Sequence, residues 1–162
     1  MKFNKKIVKK VAIVMGSHSD YPIMKDCEKI LKNLSIKFET KIISAHRTPD
    51  RMYEFAKTAH NKYNLIIAGA GGSAHLPGMI ASISILPVIG IPIESKKLKG
   101  LDSLLSIVQM PKGVPVATVS IEGATNAGLL AASIIATFDK KVKKSLETWK
   151  RLKANSIKKK PK

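Results

Sequence analysis

Ile43-Ser44-Ala45-His46-Arg47-Thr48-Pro49-Asp50 joins two different periodicities. Before it, Phe38 to Ile43 reads as an apolar strand. After it, Pro49 to about Lys62 places Met52, Phe55, Ala56 and Ala59 on one helical face. Thr48 is the expected N-cap and Pro49 the first helical residue, where its missing N–H costs nothing. In an open parallel sheet, ligands sit just outside the carboxyl ends of the strands. A histidine able to exchange a proton and an arginine able to grip an anion, His46 and Arg47, therefore point into one crevice.

The same strand-to-helix alternation extends in both directions. Val11 to Met15 is an all-apolar run, as for a strand buried on both faces. Gly16-Ser17-His18-Ser19-Asp20 follows, with Ser19 or Asp20 capping a helix that has Pro22 in its first turn. Ile23, Cys27, Ile30, Leu31 and Leu34 form its inner face, which makes Cys27 a core residue. Leu65 to Ala68, Pro87 to Ile93 and Pro115 to Ile121 are three further strands. Helices are predicted from about Leu76 to Ile83, from Leu101 to Met110, and from Gly123 through a lysine-rich continuation to about Lys153. On that continuation Val142, Leu146, Trp149 and Leu152 form a stripe that needs cover. Five strands alternating with helices imply an α/β fold, a doubly wound parallel sheet with helices on both faces; the strand order expected for it is 2-1-3-4-5, which spacing alone does not fix.

The chain has 162 residues, 44% of them hydrophobic, which suits one domain with a substantial core. It divides into a basic extension (1–9), a single domain (10–155) and a basic tail (156–162) expected to be disordered. No apolar run approaches the roughly 18 residues of a membrane span, and no apolar segment of the kind a secretory signal carries precedes Val11. One cysteine allows no internal disulfide and points to a reducing cytoplasm. The net charge of +18 suggests nucleic acid until it is located. Residues 1–10 hold five lysines and no acid, and residues 140–162 hold eleven Lys or Arg against Glu147 alone. Fifteen of the 18 charges thus lie at the ends, which argues against a basic groove in the folded body.

Three loops meet at the carboxyl edge. In Gly16 to Asp20, two serines and the free N–H groups of a helix start can hold a phosphate, and Asp20 can accept from ribose hydroxyls. An ordinary capped turn would read the same way. In Ser44 to Thr48, Arg47 can fork onto phosphate while His46 shuttles a proton. His18 and His60 are expected to face solvent. The third loop holds Gly69-x-Gly71-x-x-Ala74, a loose dinucleotide fingerprint, with Glu94 at a plausible distance for a ribose. That leaves a nucleotide- or dinucleotide-binding protein as the alternative, although Pro77 and Gly78 make a poor platform for pyrophosphate. His75 is either a pocket group or a polar contact at the helix start. No CxxC, HExxH, Walker or GxSxG pattern is present, and few acids lie near the loops, so no metal is expected.

Val11-Ala-Ile-Val-Met-Gly-Ser-His-Ser-Asp20, Ser44-Ala-His-Arg-Thr-Pro49, Gly69-Ala-Gly-Gly-Ser-Ala-His-Leu-Pro-Gly-Met79, Asp102-Ser-Leu-Leu-Ser-Ile-Val-Gln-Met-Pro111 and Gly123-Ala-Thr-Asn-Ala-Gly-Leu-Leu-Ala131 occur in order. Over about residues 10–153 the chain resembles the N5-carboxyaminoimidazole ribonucleotide mutase family of purine biosynthesis, also called the phosphoribosylaminoimidazole carboxylase catalytic subunit (PurE). The Ala-His-Arg-Thr-Pro and glycine-loop forms resemble its bacterial and plant class rather than the animal class, which uses carbon dioxide directly.

The resemblance implies a flavodoxin-like domain assembled as a homo-octamer, with the C-terminal helix packed on a neighbour. It also implies an isomerase that moves a carboxylate from N5 to C4 of an imidazole ribonucleotide. His46 matches the family's proton carrier. Ser17 and Arg47 match phosphate-binding positions and Asp20 a ribose-binding one, with Ser19, Ser44 and Ala45 completing that wall. Gly71, Gly72, Ser73, His75 and Leu76 match the base and carboxylate end. No cofactor, ATP, metal or biotin, is called for. A functional link to an ATP-dependent synthetase that makes the substrate is implied.

Overall fold

The computed structural model describes residues 10–160; the extension 1–9 and the last two residues of the tail lie outside them. Five parallel strands form one sheet in the order β2-β1-β3-β4-β5. They are β1 (Lys10–Met15), β2 (Phe38–Ile42), β3 (Tyr63–Gly71), β4 (Val88–Ile93) and β5 (Ala117–Thr118). Val11 pairs with Phe38 on one side and Leu65 on the other, so β1 and β3 occupy the protected centre. Among the described residues there are also six α-helices: α1 (Tyr21–Asn33), α2 (Pro49–Thr58), α3 (Leu76–Ile83), α4 (Leu101–Val108), α5 (Ala124–Ala136) and α6 (Lys140–Asn155).

Strand side chains alternate between two cores, as a period of two requires. Val11, Ile13, Met15, Leu65, Ile67, Ile89 and Ile91 face α1, α5 and α6. Ala12, Val14, Ile66, Ala68 and Val88 face α2, α3 and α4. Both faces are therefore covered, and the central strands are apolar throughout. Cys27 is fully buried in the first core, and burial pushes its thiol far up from the ordinary value. Among the described residues, no helix is long and apolar enough to cross a membrane.

Several boundaries differ from expectation. β2 is an edge strand of mixed composition, half-buried rather than apolar, and its Glu39 is ringed by Lys10, Lys41 and Lys62. Hydrogen bonds from Lys41 and Lys62, with their charges, hold the Glu39 carboxyl down at about 2. β5 is two residues long, not seven: Pro115 has no N–H to give the ladder, although Val119 N–H still reaches Gly90 O. α2 tightens into a 3₁₀ turn at Ala59, and β3 runs on to Gly71.

The expected single C-terminal helix is two helices. Asp139 breaks the run in an extended conformation and accepts from the N–H groups of Lys141 and Val142, starting α6 afresh. The turn lets α6 fold back on α5, so Val142 and Leu146 are buried within the chain and Trp149 packs against the same core. Only Leu152, 62% exposed, remains of the stripe expected to rest on a neighbour. Residues 156–160 leave the helix in a turn and are exposed.

Gly128 is where α5 meets α1. A Cβ there would collide with Ile30 Cγ2, a branched atom that cannot swing aside, and would crowd the Cys27 carbonyl. Gly128→Val should therefore destabilise the fold, because overpacking costs roughly 1–3 kcal/mol against a few tenths gained in helix propensity. A lowered urea midpoint is expected; an unchanged one would mean that the α1–α5 seam is loose.

Candidate active site

The first loop is a preorganised capping box. Ser17 Oγ accepts from Ser19 N–H at 3.0 Å, while Asp20 Oδ2 accepts from Ser17 N–H at 3.0 Å. This box caps the 3₁₀ turn His18–Asp20; α1 begins after Asp20 with no side-chain cap of its own, unlike the expectation. The hydroxyls of Ser17 and Ser19 lie 2.6 Å apart. Burial raises Asp20 above the ordinary carboxylate value, outweighing hydrogen bonds from Ser17 and Ser19 and the charge of Arg47.

The second loop is closed by Thr48. Its position is the N-cap of α2, but its hydroxyl does not cap the helix. It donates to Ser44 O at 2.9 Å and accepts from Ser44 N–H at 3.0 Å, cinching residues 44–48 on themselves. Ser44 Oγ then accepts from both Arg47 N–H (3.2 Å) and Arg47 Nε (3.3 Å), and Arg47 Nη2 donates to Gly16 O at 2.9 Å. The guanidinium thus spans the first two loops. Ala45 is buried at the base of the turn, which leaves His46 projecting outward.

The third loop meets that histidine. His46 Nε2 and His75 Nδ1 are 2.8 Å apart, with the rings edge to face. The two residues are 29 positions apart in sequence and lie on different strand-to-helix turns. Gly72 takes the left-handed conformation (φ +66°) that releases the chain from β3 into this turn. Its N–H donates to Ser103 Oγ at 2.8 Å, and Ser103 Oγ donates to Ile93 O at 2.6 Å.

One cavity of about 500 Å³ lies over these loops. All twelve expected site residues line it: Ser17, Ser19, Asp20, Ser44, Ala45, His46, Arg47, Gly71, Gly72, Ser73, His75 and Leu76. His18 and His60 are exposed outside it. The structure adds Gly16, Ala70, Ile93 and Ser95 to the lining, and Glu94, which sequence reasoning weighed only as a ribose contact. Ser95 was signalled by nothing local; it arrives because β4 ends beside β3. The dinucleotide fingerprint is not assembled. Gly69 lies within β3, where a Cβ would strike Met24 Sδ, so that glycine serves helix packing rather than a phosphate turn. Among the described residues, no cluster of three or more His, Cys, Asp or Glu could hold a metal ion.

The sequence profile of AIR carboxylase matches residues 10–156. The chain belongs to the AIR carboxylase family. A family member from Thermotoga maritima, N5-carboxyaminoimidazole ribonucleotide mutase, is 58% identical over 147 residues, 88% of this chain and 86% of its own length. The protein of that name from Pyrococcus abyssi is 55% identical over 142 residues, covering 87% of this chain and 82% of its own. The crystal structure of Treponema denticola PurE superposes with a TM-score of 0.83 at 31% identity, covering 91% of this chain and 92% of that one.

Asp20 supplies a test of the site's electrostatics. Its folded pKa lies above 3.8, so its contribution to stability is complete below pH 3.8 and is lost as pH rises through the elevated value. Asp20→Asn removes that loss. The variant's urea midpoint, relative to the parent, should climb between pH 3.8 and neutrality; a flat difference would mean that burial does not burden this carboxylate.

Proposed function

We propose that this chain converts N5-carboxyaminoimidazole ribonucleotide to its C4-carboxylated isomer, with His46 carrying the proton. It is an isomerase of purine biosynthesis, as its family membership and its 50–58% identity to mutases across most of their length support. The single observation behind the mechanistic reading is the His46–His75 contact at the centre of a cavity whose other walls can hold a nucleotide.

Ser17 and Arg47 take the phosphate. The guanidinium already bridges two loops, so little rotamer freedom is lost when an anion arrives. Asp20 and Ser19 face the ribose, while Gly71, Gly72, Ser73, His75 and Leu76 border the imidazole and its carboxylate. The reaction then needs one proton to leave and return. The N5–carboxyl bond breaks with its electron pair left on N5, His46 protonates that nitrogen, and carbon dioxide is released into the cavity. C4 of the ring attacks the carbon dioxide, and His46, now neutral, removes the C4 proton. Atoms and charge balance with no external acid or base. Contact with His75 orients the His46 ring for both transfers.

We place the chain in the cytoplasm, in a homo-octamer. Leu98, in the turn before α4, and Leu101, Leu105 and Val108 of α4 are each 46–57% exposed, an apolar strip that another subunit would cover. The substrate's carbamate implies an ATP-dependent synthetase upstream. Coupling of this domain to other steps of the pathway has a parallel in Dictyostelium discoideum. There a bifunctional purine synthesis protein, purC/E, contains a segment 51% identical to this chain over 150 residues, which is 15% of that protein.

His46→Asn should lower turnover by about 10²–10⁴-fold, the usual share of general acid–base catalysis, while retaining nucleotide binding in calorimetry. Full activity would overturn the proton-carrier role. Sedimentation equilibrium should give eight copies per particle, and Leu101→Glu with Leu105→Glu should break it into smaller ones; a monomeric parent would refute the assembly.

A further inference from the structure

Ser103, in the first turn of α4, is a fully buried polar residue outside the cavity lining. Its hydroxyl uses both of its capacities: it donates to Ile93 O at 2.6 Å and accepts from Gly72 N–H at 2.8 Å. Ser106, one turn later, donates to Asp102 O at 2.7 Å and reaches Gly72 O at 3.4 Å. Helix α4 therefore grips the peptide units on both sides of the one left-handed residue of the glycine loop. Nothing stands within 4 Å of the position a Cβ would take at Gly72. At Gly72 itself the turn is held by these hydrogen bonds and permitted by glycine's freedom to adopt positive φ.

We infer that Ser103 is a positioning residue for the isomerisation: through Gly72 it sets the loop that brings His75 against His46. The inference rests on the mutase reading above. Only Ser73 and Ala74 separate Gly72 from His75, and His75 N–H closes on Ser73 O at 2.8 Å, so a shift at Gly72 passes directly to the histidine. Asp102 steadies the same helix start. It accepts from Ser103 N–H at 2.9 Å and from Ser95 Oγ at 2.7 Å, which ties the loop after β4 to the same turn. One helical turn thereby ties together the loops that leave β3 and β4, which the sheet already sets side by side. Ser103 touches no reacting atom; it acts through the backbone it holds.

The test compares kcat and KM in the full-length protein for the parent, Ser103→Ala, Ser103→Cys and, as a control on the opposite face, Ser133→Ala. Ser133 bonds only its own helix carbonyl, Leu129 O, and should leave turnover unchanged. Ser103→Ala should lose about 10²-fold in kcat, the scale of a misplacement near 1 Å, with KM changed by less than about threefold. Ser103→Cys keeps the volume but offers a weak donor and acceptor, so its kcat should fall between the two. A purely space-filling role predicts that the thiol performs as well as the hydroxyl, and that result overturns the inference. So does an alanine variant with parental kcat, or one whose loss lies in KM alone. If the alanine variant fails to fold, the cysteine variant decides by the same criterion. A parent that does not convert N5-carboxyaminoimidazole ribonucleotide sinks the mutase reading instead, a result distinct from variants that match an active parent.

Discussion

Parallel pairing of β2, β1 and β3 makes the chain leave all three strands at the same edge of the sheet. The order reverses between β1 and β3, so the crevice of a doubly wound sheet opens there. His46 leaves the end of β2 and His75 the end of β3, on opposite sides of β1, and they meet over its exit loop. The pairing of two imidazoles is thus a consequence of strand order. Met24 of α1 presses closely on Gly69, where a Cβ would push its thioether aside, and this contact seats the helix against the strand that launches the third loop.

The site's charges are held differently from those of the rest of the molecule. Arg47 reaches across two loops to hydrogen-bond acceptors, Ser44 and Gly16, and keeps its charge facing the cavity. Asp20, opposite, is pushed toward its neutral form by burial although Ser17, Ser19, Arg47 and Gly16 favour its charged form. The cavity therefore presents a fixed cation, Arg47, to a phosphate-bearing anion, with the acids Asp20 and Glu94 also in its lining. Most other lysines stand on exposed surface, above all along α6, where solvent screens them. The chain's net charge and the site's chemistry are for this reason nearly independent.

The differences between expectation and structure arise where a local rule had a competitor. Thr48 stands at the N-cap, as its neighbour Pro49 suggested, but its hydroxyl turns inward because Ser44 offers both a donor and an acceptor within reach. Ser17, rather than Ser19 or Asp20, supplies the capping oxygen, because a 3₁₀ turn precedes α1. Helical spacing from Ala127 to Lys153 concealed a break, since the apolar stripe resumes in phase after Asp139. That break folds α6 onto its own core.

The alternation of apolar runs with helical stripes, the turn residues between them and the three loops at the carboxyl edge could all be read from the order of residues. They are local properties, set by side-chain period, caps and backbone freedom over a few positions. The strand order 2-1-3-4-5 is the one expected among doubly wound arrangements, but alternation alone does not fix it, because other orders also cover both faces of a parallel sheet. What only the tertiary structure decided lies at long sequence separation: the approach of His46 to His75, the span of Arg47 to Gly16, and the hold of Ser103 on Gly72 from 31 residues away. Each depends on where two elements come to rest against each other. That is settled by packing two cores at once, and no window of neighbouring residues contains it.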